Sequence, residues 1–116
     1  RSLINALHVA GLSYLQLGQT DSAAYWFGRC RSLAVQLADS AWIGISEGNH
    51  AMLALRQGRV GEAKQGFISD YRAALRNRDS TRAGDMLQQV ARIYLGNGPA
   101  DSALPAARQA FSLVWN

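Results

Sequence analysis

Proline occurs only twice and cysteine once in the 116 residues. Both prolines, Pro99 and Pro105, fall near the C-terminal end, so nothing in the preceding chain forbids long helices. Cys30 has no partner for an intramolecular disulfide, and the fold must rest on its core. Charge is sparse, at 17% of residues, and lysine is nearly missing: Lys64 is the one lysine among twelve basic residues. The net charge of +4 is mild and the basic residues are scattered, unlike the clustered footprint of a nucleic-acid-binding domain. Arg72, Arg76, Arg78 and Arg82 come nearest to a cluster and read as a solvated helix end. No apolar run approaches the roughly 20 residues needed to span a bilayer. No signal peptide is visible, and the chain starts at Arg1 without a methionine. It reads as a piece of a longer protein, which leaves cytoplasmic and periplasmic locations equally open.

Reactive and metal-binding patterns are missing too. The sequence has no Cys-x-x-Cys pair, no His-Glu-x-x-His and no calcium loop. Gly58-Arg59-Val60-Gly61 reads as a turn between helices and not as a phosphate cradle. His8 and His50 occupy different repeat positions, and neither is placed beside a nucleophile. No catalytic residue, cofactor or metal site is therefore expected, and the chain is not read as an enzyme. Cys30 is expected as a buried structural thiol, and His50 as a packed, hydrogen-bonded histidine. Asp70 stands where a small apolar residue is usual, so it is expected to find a cation or a helix-end donor, or to lie at a solvent edge.

What is abundant is a forty-residue repeat. Gly18, Gly58 and Gly98 are equivalent, as are Ala23, Ala63 and Ala103, and then Phe27, Phe67 and Ala107. Gly11, Ala51 and Ala91 share one further place. Each unit carries two apolar stripes at helical spacing, such as Leu3, Leu7, Ala10, Tyr14 and Leu17, then Ala23, Phe27, Cys30, Ala34 and Leu37. The pattern predicts helices over 2–17, 21–38, 40–57, 60–77, 80–96 and 100–115. Asp39 and Asp79 are placed as N-caps. Small residues on one helix opposite large ones on the next allow the close approach that stacked hairpins need. One domain over 1–116 is expected, with repeats at about 1–38, 39–78 and 79–116.

Leu7-x-x-Ala10-Gly11-x-x-Tyr14 followed by Ala23-x-x-x-Phe27 resembles the tetratricopeptide repeat. The usual first tryptophan is replaced by Leu7, Glu47 and Leu87, the closing proline by Val35, Leu75 and Trp115, and the period is forty. Without the proline, the second helix can run on for another turn. The resemblance implies an all-α solenoid of three antiparallel helix-turn-helix repeats, six helices in a right-handed superhelix. Leu17-Gly18-Gln19-Thr20-Asp21-Ser22-Ala23 and Asp39-Ser40-Ala41-Trp42 resemble, more narrowly, the repeat regions of Bacteroidetes-type sensor histidine kinases and regulators.

The resemblance further implies a concave face lined by the first helices. Its groove positions fall on Asn5, His8, Leu12, Leu15 and Gln16, then Ile45, Gly48, Met52, Leu55 and Arg56, then Asp85, Gln88, Arg92, Leu95 and Gly96. The expected function is a protein–protein interaction or scaffolding module of a bacterial signalling or regulatory protein, with a protein or peptide as partner. The alternative is a sensor that takes a peptide or small molecule in the same groove. Phe111, Val114 and Trp115 would leave an apolar patch at the C-terminal end, suited to further repeats or to self-association.

Overall fold

A computed structural model of the chain describes residues 2–96, and these form five helices with no strand among them. They are α1 (Ser2–Gln16), α2 (Thr20–Gln36), α3 (Ser40–Arg56), α4 (Val60–Arg76) and α5 (Ser80–Gly96). The boundaries lie within two residues of those predicted. The helix expected at 100–115, with its Phe111, Val114 and Trp115, lies outside the described residues.

The helices start at residues 20, 40, 60 and 80, so the true structural step is half the sequence repeat. One turn geometry produces this regularity. At the first turn the N–H of Gly18 donates to the Leu15 carbonyl (3.0 Å) and that of Gln19 to the Tyr14 carbonyl (2.9 Å). The same pair of bonds recurs at Ala38 and Asp39, at Gly58 and Arg59, and at Arg78 and Asp79. This is the Schellman closure, and it demands a left-handed residue just past the helix. Gly18, Ala38, Gly58 and Arg78 supply it, with φ of 78°, 51°, 80° and 58°. Two of these four positions are therefore held by residues with a Cβ, which disfavours that conformation.

The turns alternate in how they start the next helix. Asp39 accepts from the Trp42 N–H (3.1 Å) and Asp79 from the Arg82 N–H (3.0 Å), as their sequence positions suggest. Gln19 and Arg59, which precede α2 and α4, make no such side-chain cap.

Three-residue connections fold each helix back on its neighbour. The Cys30 thiol of α2 meets the Ile4 carbonyl of α1, while Phe27 covers Gly11. In the next pair Gly44 faces Ala73, Gly48 faces Asp70, and Gly66 faces Ala51. A Cβ on Gly11 would overlap the Phe27 ring, so the expected meeting of small and large positions is realised there.

Alternate helices also touch. Arg56 Nη1 of α3 donates to the Leu15 carbonyl of α1 (3.0 Å), and Leu15 and Leu53 share one apolar cluster. Ala51, Ala54, Phe67, Tyr71, Met86 and Val90 are among the buried residues that join α3, α4 and α5. Ile4, Leu7, Cys30 and Ala34 join α1 to α2, with Trp42 and Ile43 of α3 against them. Helix α3 thus lies in the middle of the stack, packed on α2 and α4 and joined to α1 and α5 through side chains.

Candidate partner-binding face

The fifteen positions expected to line a groove sit on α1, α3 and α5, and ten of them divide into four sets. Asn5 and Gln16 on α1, and Asp85, Gln88 and Arg92 on α5, are exposed. Leu12 and Met52 are half-buried and belong to one cluster with Leu15, Phe27 and Leu53. His8 and Ile45 are half-buried, and each borders a buried polar group. Arg56 is exposed but committed, since its Nη1 caps the last turn of α1 through the Leu15 carbonyl.

Two groove positions prove to be packing positions. Leu15 is buried, and Gly48 is buried beneath the Asp70 carboxylate, which occupies the space a side chain on Gly48 would need. Leu55 and Leu95, by contrast, are exposed apolar residues at the C-terminal ends of α3 and α5.

The polar groups around α3 have definite partners. The amide nitrogen of Asn49 donates to His8 Nδ1 (3.0 Å), which puts the proton of the neutral imidazole on Nε2. The edge of the His8 ring packs on Trp42, with centroids 5.4 Å apart. Burial lowers the His8 pKa from its ordinary 6.5, and the nearby Arg82 charge lowers it further, against the Asn49 hydrogen bond. Asn49 is fully buried, and its Oδ1 has no hydrogen-bond partner among the described residues.

Asp70 is 1% exposed and accepts from Arg82 Nε (3.2 and 3.1 Å) and Nη2 (2.5 Å). Burial raises its pKa, and the Arg82 hydrogen bonds and charge oppose that shift. The carboxylate therefore finds the cation expected of it, on the neighbouring α5. A cleft of about 120 Å³ opens beside the pair, lined in part by Ala41, Ile45 and Asn77.

The histidine expected to be packed, His50, is exposed instead and pairs with Glu62 of α4. It borders an open cleft lined in part by Ala24, Gly28 and Arg31 of α2, which leaves the ring at the surface. The His50 hydrogen bond is the main cause of the lowered Glu62 pKa. Cys30 is buried as expected, and burial raises its thiol pKa. Among the described residues no three His, Cys, Asp or Glu side chains are grouped to hold a metal ion, and no helix is long and apolar enough to cross a membrane.

No family model, curated protein or solved structure matches this chain.

Asn49 and Trp42 are residues of this face to which sequence reasoning gave no role, and Arg82, read with Arg72, Arg76 and Arg78 as a solvated helix end, is instead half-buried against Asp70. The departure at Asp70 was visible, but its partner lies twelve residues on, across a turn, where no helical spacing connects them.

Proposed function

We propose that this chain is a protein-binding scaffold built on tetratricopeptide-like hairpins stacked into a solenoid, serving a signalling or regulatory protein. The observation that carries the reading is the direct contact of α1 with α3. In it His8 meets Asn49, and the Leu15 carbonyl and side chain meet Arg56 and Leu53. Side-by-side first helices of this kind give a continuous surface that no single hairpin owns, and that is what an extended partner segment can lie across.

On this reading Leu12, Ile45 and Met52 form the apolar floor, and Met52 adapts to different side chains. His8, Gln88 and Arg92 supply the polar contacts, with Asn5, Gln16 and Asp85 at the rim and Arg56 at the C-terminal end. Partner segments are extended or helical peptides with alternating apolar and polar groups. Apolar anchors at the centre with a polar rim are the usual division of labour in such interfaces.

Photo-crosslinking tests it. A photoreactive residue placed at Met52 in the native cell extract should capture a defined partner, and the same residue at Ser69, exposed on α4, should not. Equal capture at both positions, or capture at Ser69 alone, would remove the assignment of the face.

A further inference from the structure

The α2/α3 and α4/α5 joints are built from equivalent residues, forty positions apart, yet only one of them is filled. In the α4/α5 joint Phe67, Ile68, Tyr71, Met86, Val90 and Ile93 are all buried in one apolar cluster. Lys64 also spans that joint to the Tyr94 hydroxyl (3.4 Å). In the α2/α3 joint Phe27 and Leu53 keep the apolar character of Phe67 and Ile93, and both are buried. The other places have changed kind. Gly28 stands for Ile68, Arg31 for Tyr71, Ser46 for Met86 and His50 for Val90. Ala24 stands for Lys64 and is exposed.

These exchanges leave a cleft of about 240 Å³ with Phe27, Gly28, Arg31, Ser46, His50 and Leu53 among its walls. A Cβ on Gly28 would meet nothing within 4 Å, so the space that Ile68 fills in one joint is open in the other. None of the positions assigned to partner binding lines this cleft, which makes it separate from that face.

The walls are apolar on one side and rich in donors on the other. Arg31 gives Nη1 to Glu47 (2.8 Å), and its Nε and Nη2 make no hydrogen bond among the described residues. His50 meets Glu62 through Nε2; a carboxylate only accepts, so Nε2 carries the proton and Nδ1 is left for a further partner. The buried Ser46 hydroxyl is satisfied, since it donates to the Trp42 carbonyl (2.9 Å). Glu47 and Glu62 do not line the cleft and are already paired, with Arg31 and with His50 and Arg59. The lining thus holds a guanidinium and no carboxylate, and a guanidinium edge matches a carboxylate in shape as well as charge. An apolar cavity of about 150 Å³ holds benzene, so this larger volume takes one ring or one branched chain together with a carboxylate.

We infer that the α2/α3 joint is a binding site for a free small organic acid with an aromatic or branched apolar body. The body fills the space beside Gly28, against Phe27 and Leu53, and the carboxylate lies on the open edge of Arg31 with His50 at the rim. Such a ligand touches both hairpins and stands in for the side chains that close the α4/α5 joint.

Titration of the chain with benzoate and with 4-methylpentanoate, followed by its backbone amide resonances, tests the site. Saturable shifts at Gly28, Arg31 and Ser46 are expected with at least one of the two acids. The matching amides, benzamide and 4-methylpentanamide, should bind about tenfold more weakly, the factor that roughly one charge-assisted hydrogen bond supplies. Gly28→Ile restores the residue of the filled joint at an exposed helical position, where isoleucine is a better helix former than glycine. It should abolish binding without lowering helicity or the melting midpoint. Arg31→Gln should reduce the acids to the level of the amides. The inference is overturned if neither acid shifts those resonances, if the amides bind as well as the acids, or if folded Gly28→Ile binds unchanged.

Discussion

At single residues, the turns carry the most easily tested chemistry. Ala38 and Arg78 hold the left-handed position that Gly18 and Gly58 fill elsewhere. A Cβ there crowds the following carbonyl, at a cost of about 1 kcal/mol or more. Ala38→Gly and Arg78→Gly are each expected to stabilise the chain by about 1 kcal/mol, less the entropy that glycine adds to the unfolded state. Gly58→Ala should destabilise it by a similar amount. Urea denaturation with an unchanged slope would check all three.

His8 offers a second residue-scale prediction. Its folded pKa lies below the ordinary 6.5, so the unfolded chain binds this proton more readily. The neutral ring accordingly contributes stability that is present above pH 6.5 and is lost as pH falls through the folded value. The ring resonances of His8 should titrate with a midpoint below 6.5, and replacing His8 by Gln should flatten that part of the stability profile. A midpoint at or above 6.5 would contradict the burial and the Arg82 proximity described for it.

Between elements, the polar contacts around α3 matter more than their number suggests. Arg31 from α2 reaches Glu47, His8 from α1 reaches Asn49, and Asp70 from α4 lies on Gly48 while bound to Arg82 of α5. Each of the four surrounding helices thus meets α3 near the turn formed by residues 47–49. Removing one partner of a buried pair leaves a stranded charge, which costs about 3–5 kcal/mol. Arg82 is 20% exposed and can regain some water, so Asp70→Ala is expected at the lower end, about 3 kcal/mol. The double replacement Asp70→Leu with Arg82→Met should recover most of that loss, since apolar pairs of similar volume replace buried ion pairs well. Gly48→Ala belongs with these, because a Cβ there would overlap the Asp70 carboxylate. Overpacking of that kind costs about 1–3 kcal/mol. Chemical denaturation of the three variants would rank them.

For the whole molecule, the packing order sets a gradient of local stability. Helix α3 is packed between α2 and α4 and also meets α1 and α5 through side chains, and α4, packed between α3 and α5, carries eight buried residues. Helix α1 has its Leu3 and Ser13 side open. Local opening free energies follow such coverage. Amide hydrogen exchange should be slowest in α3 and α4, and faster in α1. Uniform protection across the five helices would mean that they open as one unit and that coverage does not set local stability here.

The sequence by itself determined the elements. Helix ends are local chemistry: glycine or its substitute past the last turn, aspartate before the next helix, apolar residues at helical spacing. Those signals lie within a few residues of one another, which is why the five boundaries were legible. That small and large positions recur was legible for a similar reason, because a forty-residue repeat displays them, but that Phe27 lies on Gly11 within its own hairpin was shown only by the packing. Tertiary structure alone decided which side of α3 each neighbour covers. That depends on the rotation between helices joined by three residues, and no side-chain period encodes it. The same rotation hid Leu15 and Gly48, joined Asp70 to Arg82, and left His50 at the surface beside Glu62. The candidate face is therefore legible from sequence as a set of helices, while which of its side chains remain available to a partner is fixed only when α1, α3 and α5 come together.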